Sequence, residues 1–275
     1  MIHSERLSGS EAAAELLTED ISVRAEQRAD YDPADFEGAG VYSDREIKHA
    51  LARGHIRIFP FEEENLSGTS YDVRLGEYFF TTDRIQNKPV YNPHDEEDVR
   101  RYFEYEAKQA LPHAQLCQKR GLELFANIPE DHPLILLNPH ERILAHTHEF
   151  IGINPPGTSQ MQARSTTGRN GIVVCKDAGW GDPGYKGRWT MEIQNDNNEI
   201  MPLPVGMRIA QIVFLRSGAT EMNYGLDDNK YYRAQSLEEE VRNWHPDMML
   251  PRAYKDEIKL PPSIQISRAK EHEYE

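Results

Sequence analysis

Short apolar runs separated by Pro, Gly and Asn dominate the chain from residue 41 onward. Runs of this kind, with few helical stretches between them, are typical of antiparallel strands rather than of alternating strands and helices. The pattern therefore predicts a mainly β fold, an antiparallel β-barrel or double-sheet jelly roll with a few short helices. The predicted strands are residues 55–59, 70–75, 78–82, 134–137, 143–146, 172–175, 189–194 and 209–215.

A helix is predicted just before the first strand. Ser43 is followed three residues later by Glu46, which is the form of a capping box, where each side chain accepts a hydrogen bond from the other residue's backbone N–H. Ile47 and Leu51 follow at helical spacing, so one face of the helix is expected to be buried. We expect Gly54 to end this helix.

The composition changes along the chain and divides it into parts. Residues 1–40 are rich in Ala, Glu, Asp and Arg and poor in large apolar residues, which predicts an N-terminal arm that is mobile or docked on a partner. Residues 41–236 are predicted to form the β-barrel domain, with a charged, helix-prone insertion near residues 87–124. Residues 237–275 become polar again and are predicted to be a C-terminal extension.

Length, charge and cysteine content restrict the class of protein. A chain of 275 residues that is 38% hydrophobic and 28% charged fits a globular protein of one or two domains, and it has no apolar run long enough to span a membrane. Its net charge of −15 repels a phosphate backbone, so nucleic acid is not an expected partner. Because only Cys117 and Cys175 are present and no signal peptide is recognisable, we expect a cytoplasmic location.

Residues 161–195 hold most of the candidate chemistry. Arg164 and Arg169 flank the hydroxyl groups of Ser165 and Thr166. Two guanidinium groups and several hydroxyls are able to bind an oxyanion or a triphosphate. Taken alone, however, such a cluster is more typical of a polar loop between strands.

Two acidic residues follow in the same stretch. Asp182 precedes a Pro-Gly turn, where its carboxylate either accepts a sugar hydroxyl or only initiates the turn. Glu192 lies between Met191 and Ile193 in a strand-like run. If Glu192 faces solvent it needs no explanation, but if it faces a pocket its pKa is perturbed toward that of a general base.

Five ordered segments share a pattern with a known family. They are SDREIKHALARGHIRIFP with SYDVRLGEYF, ARSTTGRNGIVV, DAGWGDPGYKGRWTMEIQN, MPLPVGMRIAQIVF and YGLDDNKYYRAQ. In order, they resemble the opening helix and strand, the R-S-S-x-x-R-x-G motif, the D-P-G block with its later Glu, the closing strand pair and the nucleotide-covering segment of the dCTP deaminases. These enzymes are a branch of the dUTPase-like superfamily, so the resemblance implies its distorted antiparallel β-barrel fold.

The resemblance also implies roles for the matching residues. Glu192 would be the general base and acid, which takes a proton from water as the water attacks C4 of cytosine. Ser165 and Arg169 would position this water and stabilise the charged intermediate. The implied substrate-binding residues are Arg164 and Thr166 for the triphosphate, Asp182 for the 3′-hydroxyl, and Thr190, Tyr224, Lys230 and Gln235.

The function implied is metal-free deamination of dCTP to dUTP and ammonia in pyrimidine deoxynucleotide metabolism. Mg²⁺ would be carried by the nucleotide triphosphate instead of being held by a protein cage. Family members are homotrimers with active sites between subunits, so we expect the same assembly here. We expect dUTP or dTTP to bind as product or effector.

A zinc-dependent deaminase is the contrasting hypothesis. Such enzymes need H-x-E and P-C-x-x-C signatures; His146-Thr147-His148-Glu149 does not supply the first, and no P-C-x-x-C exists. His146 and His148 are two residues apart and so share one side of a strand, which permits metal ligation. Without a third ligand, we interpret them as a surface pair, and no zinc is expected.

Departures from the family pattern leave alternatives open. Thr166 replaces a serine but keeps its hydroxyl, whereas Cys175-Lys176-Asp177 replaces a segment that contributes to dTTP feedback in the family. Ala178-Gly179-Trp180 resembles the bifunctional members, which also release pyrophosphate and form dUMP. A pure dUTPase is disfavoured because Glu192 is present and no G-F-G-S-T-G motif ends the chain. A non-catalytic nucleotide-binding relative is the remaining alternative.

Overall fold

The structure is a computed structural model that describes residues 40–82, 89–176, 178–222, 224 and 236–260. The predicted N-terminal arm therefore lies outside the described residues, apart from residue 40. The α-helices are α1 (Asp44–Ala52), α2 (Glu96–Tyr102), α3 (His113–Arg120), α4 (Ser165–Arg169) and α5 (Leu237–Asn243). The 3₁₀ turns are Glu63–Asn65, Pro246–Met249 and Ala253–Lys255. The strands are β1 (Ile56–Phe59), β2 (Leu66–Ser67), β3 (Ser70–Thr81), β4 (Lys108–Gln109), β5 (Leu111–Pro112), β6 (Pro133–Leu137), β7 (Arg142–Ile153), β8 (Thr158–Ala163), β9 (Ile172–Val174), β10 (Trp180–Gly181), β11 (Lys186–Asn195), β12 (Met201–Pro204) and β13 (Arg208–Leu215).

Two antiparallel sheets form the body of the molecule. The larger sheet has the order β10-β8-β13-β3-β7-β11-β9, with β1 paired to β7 and with β2 and β4 paired to β3. The smaller sheet has the order β12-β6-β5. One edge of β7 pairs first with β3 and then with β1, while its other edge pairs along β11, so the large sheet curls into a half-barrel. The prediction of a mainly β, antiparallel fold with few helices is confirmed.

The core lies inside the curled sheet. It is built from alternate apolar residues of the long strands, because successive side chains of a strand point to opposite faces. Complete burial of one such side chain stabilises the fold by about 1.5–3 kcal/mol. Fully or almost fully buried examples are Ile58, Val73, Ile151, Met191, Ile193 and Ile212.

Helix α1 forms where the capping box predicts it. The Ser43 side chain accepts a hydrogen bond from the Glu46 N–H, and the Glu46 carboxylate accepts one from the Ser43 N–H at 2.8 Å. Ile47 and Leu51 are buried, as their spacing predicts. The helix ends at Ala52, and Gly54 then adopts a positive φ of 72°.

The strand predictions differ from the structure in several places: β7 extends to Ile153, beyond the predicted 143–146, and the short strands β2, β4, β5 and β10 were not predicted. The two runs 70–75 and 78–82 are parts of one long strand, β3, although Gly76 lies between them. A Cβ atom at Gly76 would lie 2.0 Å from Cε1 of His146, so the glycine makes room for this ring and does not end the strand. Strand β8 was not predicted, since Met161 is its only large apolar residue.

The predicted insertion and C-terminal extension both pack against the large sheet. In the insertion, Val99 and Phe103 are buried, and they form an apolar cluster together with Phe80, Leu144, Met249 and Leu250. In the extension, Leu237 of α5 packs on Phe59 and Phe150. The two additions therefore cover one face of the sheet, the face that also carries the site described below.

Candidate active site

A cavity of about 440 Å³ lies along strand β11. Lys186, Arg188, Thr190 and Glu192 are the half-buried residues that alternate along this strand, and all four line the cavity, while the residues between them are more deeply buried. The alternation follows from the two-residue period of a strand. Glu192 therefore faces a pocket and not open solvent.

The Glu192 carboxylate has few groups around it that stabilise its negative charge. Its strand neighbour on β7 is Leu144, and no hydrogen bond from the described residues reaches its buried Oε2 atom. Burial raises the pKa of Glu192, against the opposing effects of its own backbone N–H and of Arg142 at the cavity wall. A carboxylate with a raised pKa and an unbonded oxygen is suited to accept a proton from water.

A tight turn brings Asp182 and Tyr224 to the same cavity. The Tyr185 N–H donates to the Asp182 carbonyl at 2.9 Å, and Gly184 has a φ of 89°, so Pro183 and Gly184 occupy the middle of a type II turn. The Tyr224 N–H donates to the Pro183 carbonyl at 2.7 Å. The structure thus brings four predicted site residues to one cavity. They are Asp182, Thr190, Glu192 and Tyr224.

Helix α4 holds the other motif residues, and they do not line this cavity. Ser165, Thr166 and Arg169 are exposed on the surface. Arg164 forms an ion pair with Asp72, with Nε 3.0 Å from Oδ2, and burial raises the pKa of Asp72. Ser165, Thr166 and Arg169 therefore lie outside the lining of the cavity that Glu192 faces, and the predicted catalytic and binding roles of these residues and of Arg164 stay predictions.

Two further predicted substrate-binding residues lie outside the described part of the chain. They are Lys230 and Gln235, which fall within residues 225–235. Tyr224 is the one described residue of the segment predicted to cover the nucleotide. The roles of Lys230 and Gln235 therefore stay predictions.

Several cavity residues come from outside the predicted motifs. Helix α5 presents Leu237, Glu240, Val241 and Trp244 at helical spacing toward the barrel. This spacing, together with Ser236 as a helix N-cap, is a sequence signal that could have revealed the helix. The cavity-lining residues contributed by the insertion and the extension are Phe103, Glu240, Trp244, Met248, Met249 and Pro251.

The interpretation of His146 and His148 as a surface pair is wrong. His146 is 1% exposed, its Nδ1 donates to the Thr147 carbonyl at 2.8 Å and its Nε2 accepts from the Tyr78 N–H at 3.2 Å. Burial lowers the pKa of His146 to about 3 and that of His148 to about 4. Both rings are therefore neutral structural groups at pH 7. In the described ranges, no group of three or more His, Cys, Asp or Glu side chains is placed to hold a metal ion.

Cys175 packs directly behind the site. Its N–H donates to the Glu192 carbonyl at 3.1 Å, and its Sγ lies 3.4 Å from the sulfur of Met161. Burial, together with the nearby Glu192 charge, raises the pKa of Cys175 to about 12. The thiol therefore remains protonated and belongs to the core.

The curled antiparallel sheet and its buried strand carboxylate agree with the result of comparison with known families. The dCTP deaminase-like family profile matches residues 41–217, and the chain belongs to this family. The chain is 36% identical over 200 residues to "dCTP deaminase, dUMP-forming" of Methanopyrus kandleri, covering 70% of this chain and 90% of the relative. It is 33% identical over 196 residues to the protein of the same name from Methanothermobacter thermautotrophicus, covering 70% and 88%.

Solved structures include one 2′-deoxycytidine 5′-triphosphate deaminase, from Agrobacterium tumefaciens. It aligns with a TM-score of 0.46 at 16% identity, covering 66% of this chain and 49% of that chain. A native dUTPase of EIAV aligns with a TM-score of 0.29 at 15% identity, covering 57% and 98%. Among the helices of the described residues, none has the length and apolar character that crossing a membrane requires.

Proposed function

We propose that this chain is a dUMP-forming dCTP deaminase, which converts dCTP to dUMP with release of ammonia and pyrophosphate. The names of its relatives from Methanopyrus kandleri and Methanothermobacter thermautotrophicus support this proposal. They favour the bifunctional alternative over simple deamination that ends at dUTP. A hydrolytic deaminase of dCTP that stops at dUTP is the second candidate, and the same site supports its first step.

The observation that carries the proposal is the state of Glu192, which lines the cavity, has a raised pKa, and has a buried Oε2 atom that accepts no hydrogen bond from the described residues. In the deamination step, the oxygen of a water molecule bonds to C4 of cytosine while Glu192 takes one of its protons. This proton is delivered to N3, and a second transfer from the new hydroxyl group reaches the amino group. The C4–N4 bond then breaks, ammonia leaves and the ring becomes uracil.

The remaining cavity residues are assigned to binding. Asp182 accepts a hydrogen bond from the 3′-hydroxyl of the deoxyribose. Thr190 precedes Glu192 by two residues on the same face of β11 and lies next to the base. Tyr224 is held by its bond to Pro183 and covers the sugar. Mg²⁺ enters with the triphosphate as its counter-ion, because hard cations bind phosphate oxygens and water.

The assembly proposed is a homotrimer in which α4 of one subunit completes the cavity of its neighbour. Support comes from Ser165, Thr166 and Arg169, which are exposed and do not line the Glu192 cavity of their own chain. Arg169 and Ser165 then position the attacking water from across the interface. Sedimentation analysis measures the number of subunits directly.

Product analysis tests the proposed function. Purified protein is incubated with dCTP and Mg²⁺, and dCTP, dUTP, dUMP and pyrophosphate are separated by chromatography. We expect dUMP and pyrophosphate to accumulate in equal amounts, with ammonia matching them. Accumulation of dUTP alone would establish the simple deaminase, whereas unchanged dCTP at high protein concentration would contradict catalysis altogether. A parallel reaction with dUTP shows whether the second step proceeds without the first.

A further inference from the structure

The cavity continues past Glu192 and Thr190 to two cationic residues that have no assigned role. Arg188 lies four residues from Glu192 on the same face of β11, roughly 13 Å away at the usual rise of a strand. Lys186 lies one step farther along this face. Both line the cavity, so one continuous space joins the candidate catalytic carboxylate to a cationic end.

Arg188 is held in place by aromatic rings. Its guanidinium carbon lies 4.8 Å from the ring centre of Phe150 and 4.5 Å from that of Trp244. The buried Nε–H group donates no hydrogen bond to any described residue. Burial lowers the pKa of Arg188 to about 10, yet the group stays charged at pH 7. The rings fix the guanidinium plane while leaving donor atoms available.

The two carboxylates whose charges act on Arg188 form hydrogen bonds with other residues. Glu149 accepts hydrogen bonds from Arg74, with Oε1 2.6 Å from Nε. Glu77 accepts a hydrogen bond from Gln109 at 2.8 Å. Both act on Arg188 only at longer range, where they partly offset the cost of burial. Within the described part of the chain, Arg188 therefore has no directly bonded carboxylate.

Lys186 shares an acidic neighbour, Glu240, with a second cation. It pairs with Gly152 of β7, and Arg57 of β1 pairs with the same glycine from the other side. Glu240 of α5 lies above this position and bonds Arg57, with Oε2 2.5 Å from Nη1. Burial lowers the pKa of Lys186 to about 8, and the positive charge of Arg57 lowers it as well. One carboxylate therefore faces two buried cations.

The geometry points to an anion subsite at the Lys186 and Arg188 end of the cavity, which takes a phosphate or pyrophosphate group. Forked and point-like donors together suit phosphate oxygens. A bound anion also relieves the cost of two buried cations with incomplete compensation. Because the chain as a whole carries a net charge of −15 and repels anions, an anion is expected to bind only where positive charge is in local excess, as it is here.

This subsite is separate from Arg164, the N-cap residue of α4, and from Thr166 of α4, which the family resemblance assigns to the triphosphate. The chemistry allows two sources for the anion, namely the phosphates of a nucleotide bound at Glu192 or free pyrophosphate. The first source rests on the proposed function, whereas the subsite itself does not. The probe must therefore be a ligand that needs no catalysis.

Inorganic pyrophosphate, titrated calorimetrically into the full chain, is that probe. We expect saturable binding, weakened at least about tenfold in Lys186→Gln, since a charge-assisted hydrogen bond to phosphate is lost. Lys186→Arg keeps the charge and should retain most of the affinity. The matched control is Arg242→Gln, which removes an exposed cation from α5 and should bind as the unmodified protein does.

A fluorescence signal locates the bound anion independently. Trp244 contacts Arg188, so pyrophosphate should change the tryptophan emission, and Trp244→Phe should reduce this change while keeping an aromatic ring, because Trp180 and Trp189 also line the cavity and remain. Absence of saturable binding, or equal weakening in Lys186→Gln and Arg242→Gln, would overturn the subsite. An unaltered emission change in Trp244→Phe would place the anion elsewhere and would overturn it too.

Two further measurements separate the sources and the hypotheses. Competition between pyrophosphate and dCTP identifies the substrate's own phosphates as the occupant, whereas simultaneous binding identifies a free anion. Glu192→Gln should bind pyrophosphate normally, because the carboxylate lies at the far end of the cavity. If the protein fails to deaminate dCTP yet binds pyrophosphate through Lys186, the proposed function fails and the subsite stands.

Discussion

The Glu192 cavity and helix α4 both carry motif residues, but these residues differ in their exposure to solvent. Glu192 lies on β11, a strand paired on one edge with β7 and on the other with β9, and it faces the cavity. Helix α4 has only five residues, has no side-chain cap at its N-terminus, and exposes Ser165 and Arg169. One half of the site is thus buried and preorganised, while the other half is presented outward.

This difference indicates what each half needs in order to act. A carboxylate with a raised pKa is maintained by the folded chain alone, because burial is its first cause. Exposed guanidinium and hydroxyl groups become strong electrostatic partners only when water is excluded from them. A second subunit placed over α4 would supply that exclusion.

The largest effect is expected at the buried half. Glu192→Gln keeps the size of the side chain but removes the base, so the rate of ammonia release should fall by about 10²–10⁴-fold. Nucleotide affinity and the thermal unfolding temperature should remain close to those of the unmodified protein. Glu199→Gln, which changes an exposed carboxylate, is the matched control. Turnover of Glu192→Gln at the unmodified rate would show that Glu192 is not the base.

The exposed half should show a large effect that depends on assembly. Arg169→Gln should lower deamination about 10²-fold, since a preorganised donor to the charged intermediate is lost. Mixed assemblies of Arg169→Gln and Glu192→Gln subunits should recover part of the activity, because some sites then combine two intact halves. If mixing inactive subunits restores nothing although mixed assemblies form, both halves belong to the same chain.

The C-terminal extension should contribute mainly to stability at the cavity wall. Trp244 contacts the His146 ring at a centroid distance of 4.5 Å and covers Arg188. Trp244→Ala should therefore lower the free energy of unfolding by about 2 kcal/mol, less than for a fully buried tryptophan. Trp180→Ala changes an exposed ring and should cost much less in the same chemical denaturation experiment. Equal losses would show that α5 packs only weakly on the barrel.

The predictability of these regions follows the range of the interactions that form them. The capping box at Ser43 and the alternation along β11 are local patterns, so α1 and the orientation of Glu192 follow from sequence. The burial of His146 depends on Gly76 of a distant strand segment, and no local pattern records this contact. The role of α5 in the cavity likewise depends on Leu237 reaching Phe59 and on Trp244 reaching Arg188. Such pairings require the tertiary fold.

A smaller effect is expected at α1, away from either half of the site. Ser43→Ala removes the hydroxyl that caps the Glu46 N–H, and the free energy of unfolding should fall by about 1 kcal/mol. The kinetic constants for dCTP should not change, because α1 lines no part of the cavity. Chemical denaturation and steady-state kinetics on the same preparation measure both. A change in activity without a change in stability would contradict the separation of α1 from the site.

The smallest and most specific effect concerns the acid limb of the pH–rate profile. Glu192 acts as a base only when deprotonated, so activity should be lost as the pH falls through its raised pKa, which lies above the ordinary 4.5. Arg142 lowers this pKa by its charge, and Arg142→Gln should therefore move the limb to higher pH. Arg142→Lys keeps the charge and should leave the limb in place. A limb that moves equally in both variants would trace to lost packing and not to charge, and a limb that moves to lower pH would show that the titrating group is not a carboxylate facing Arg142.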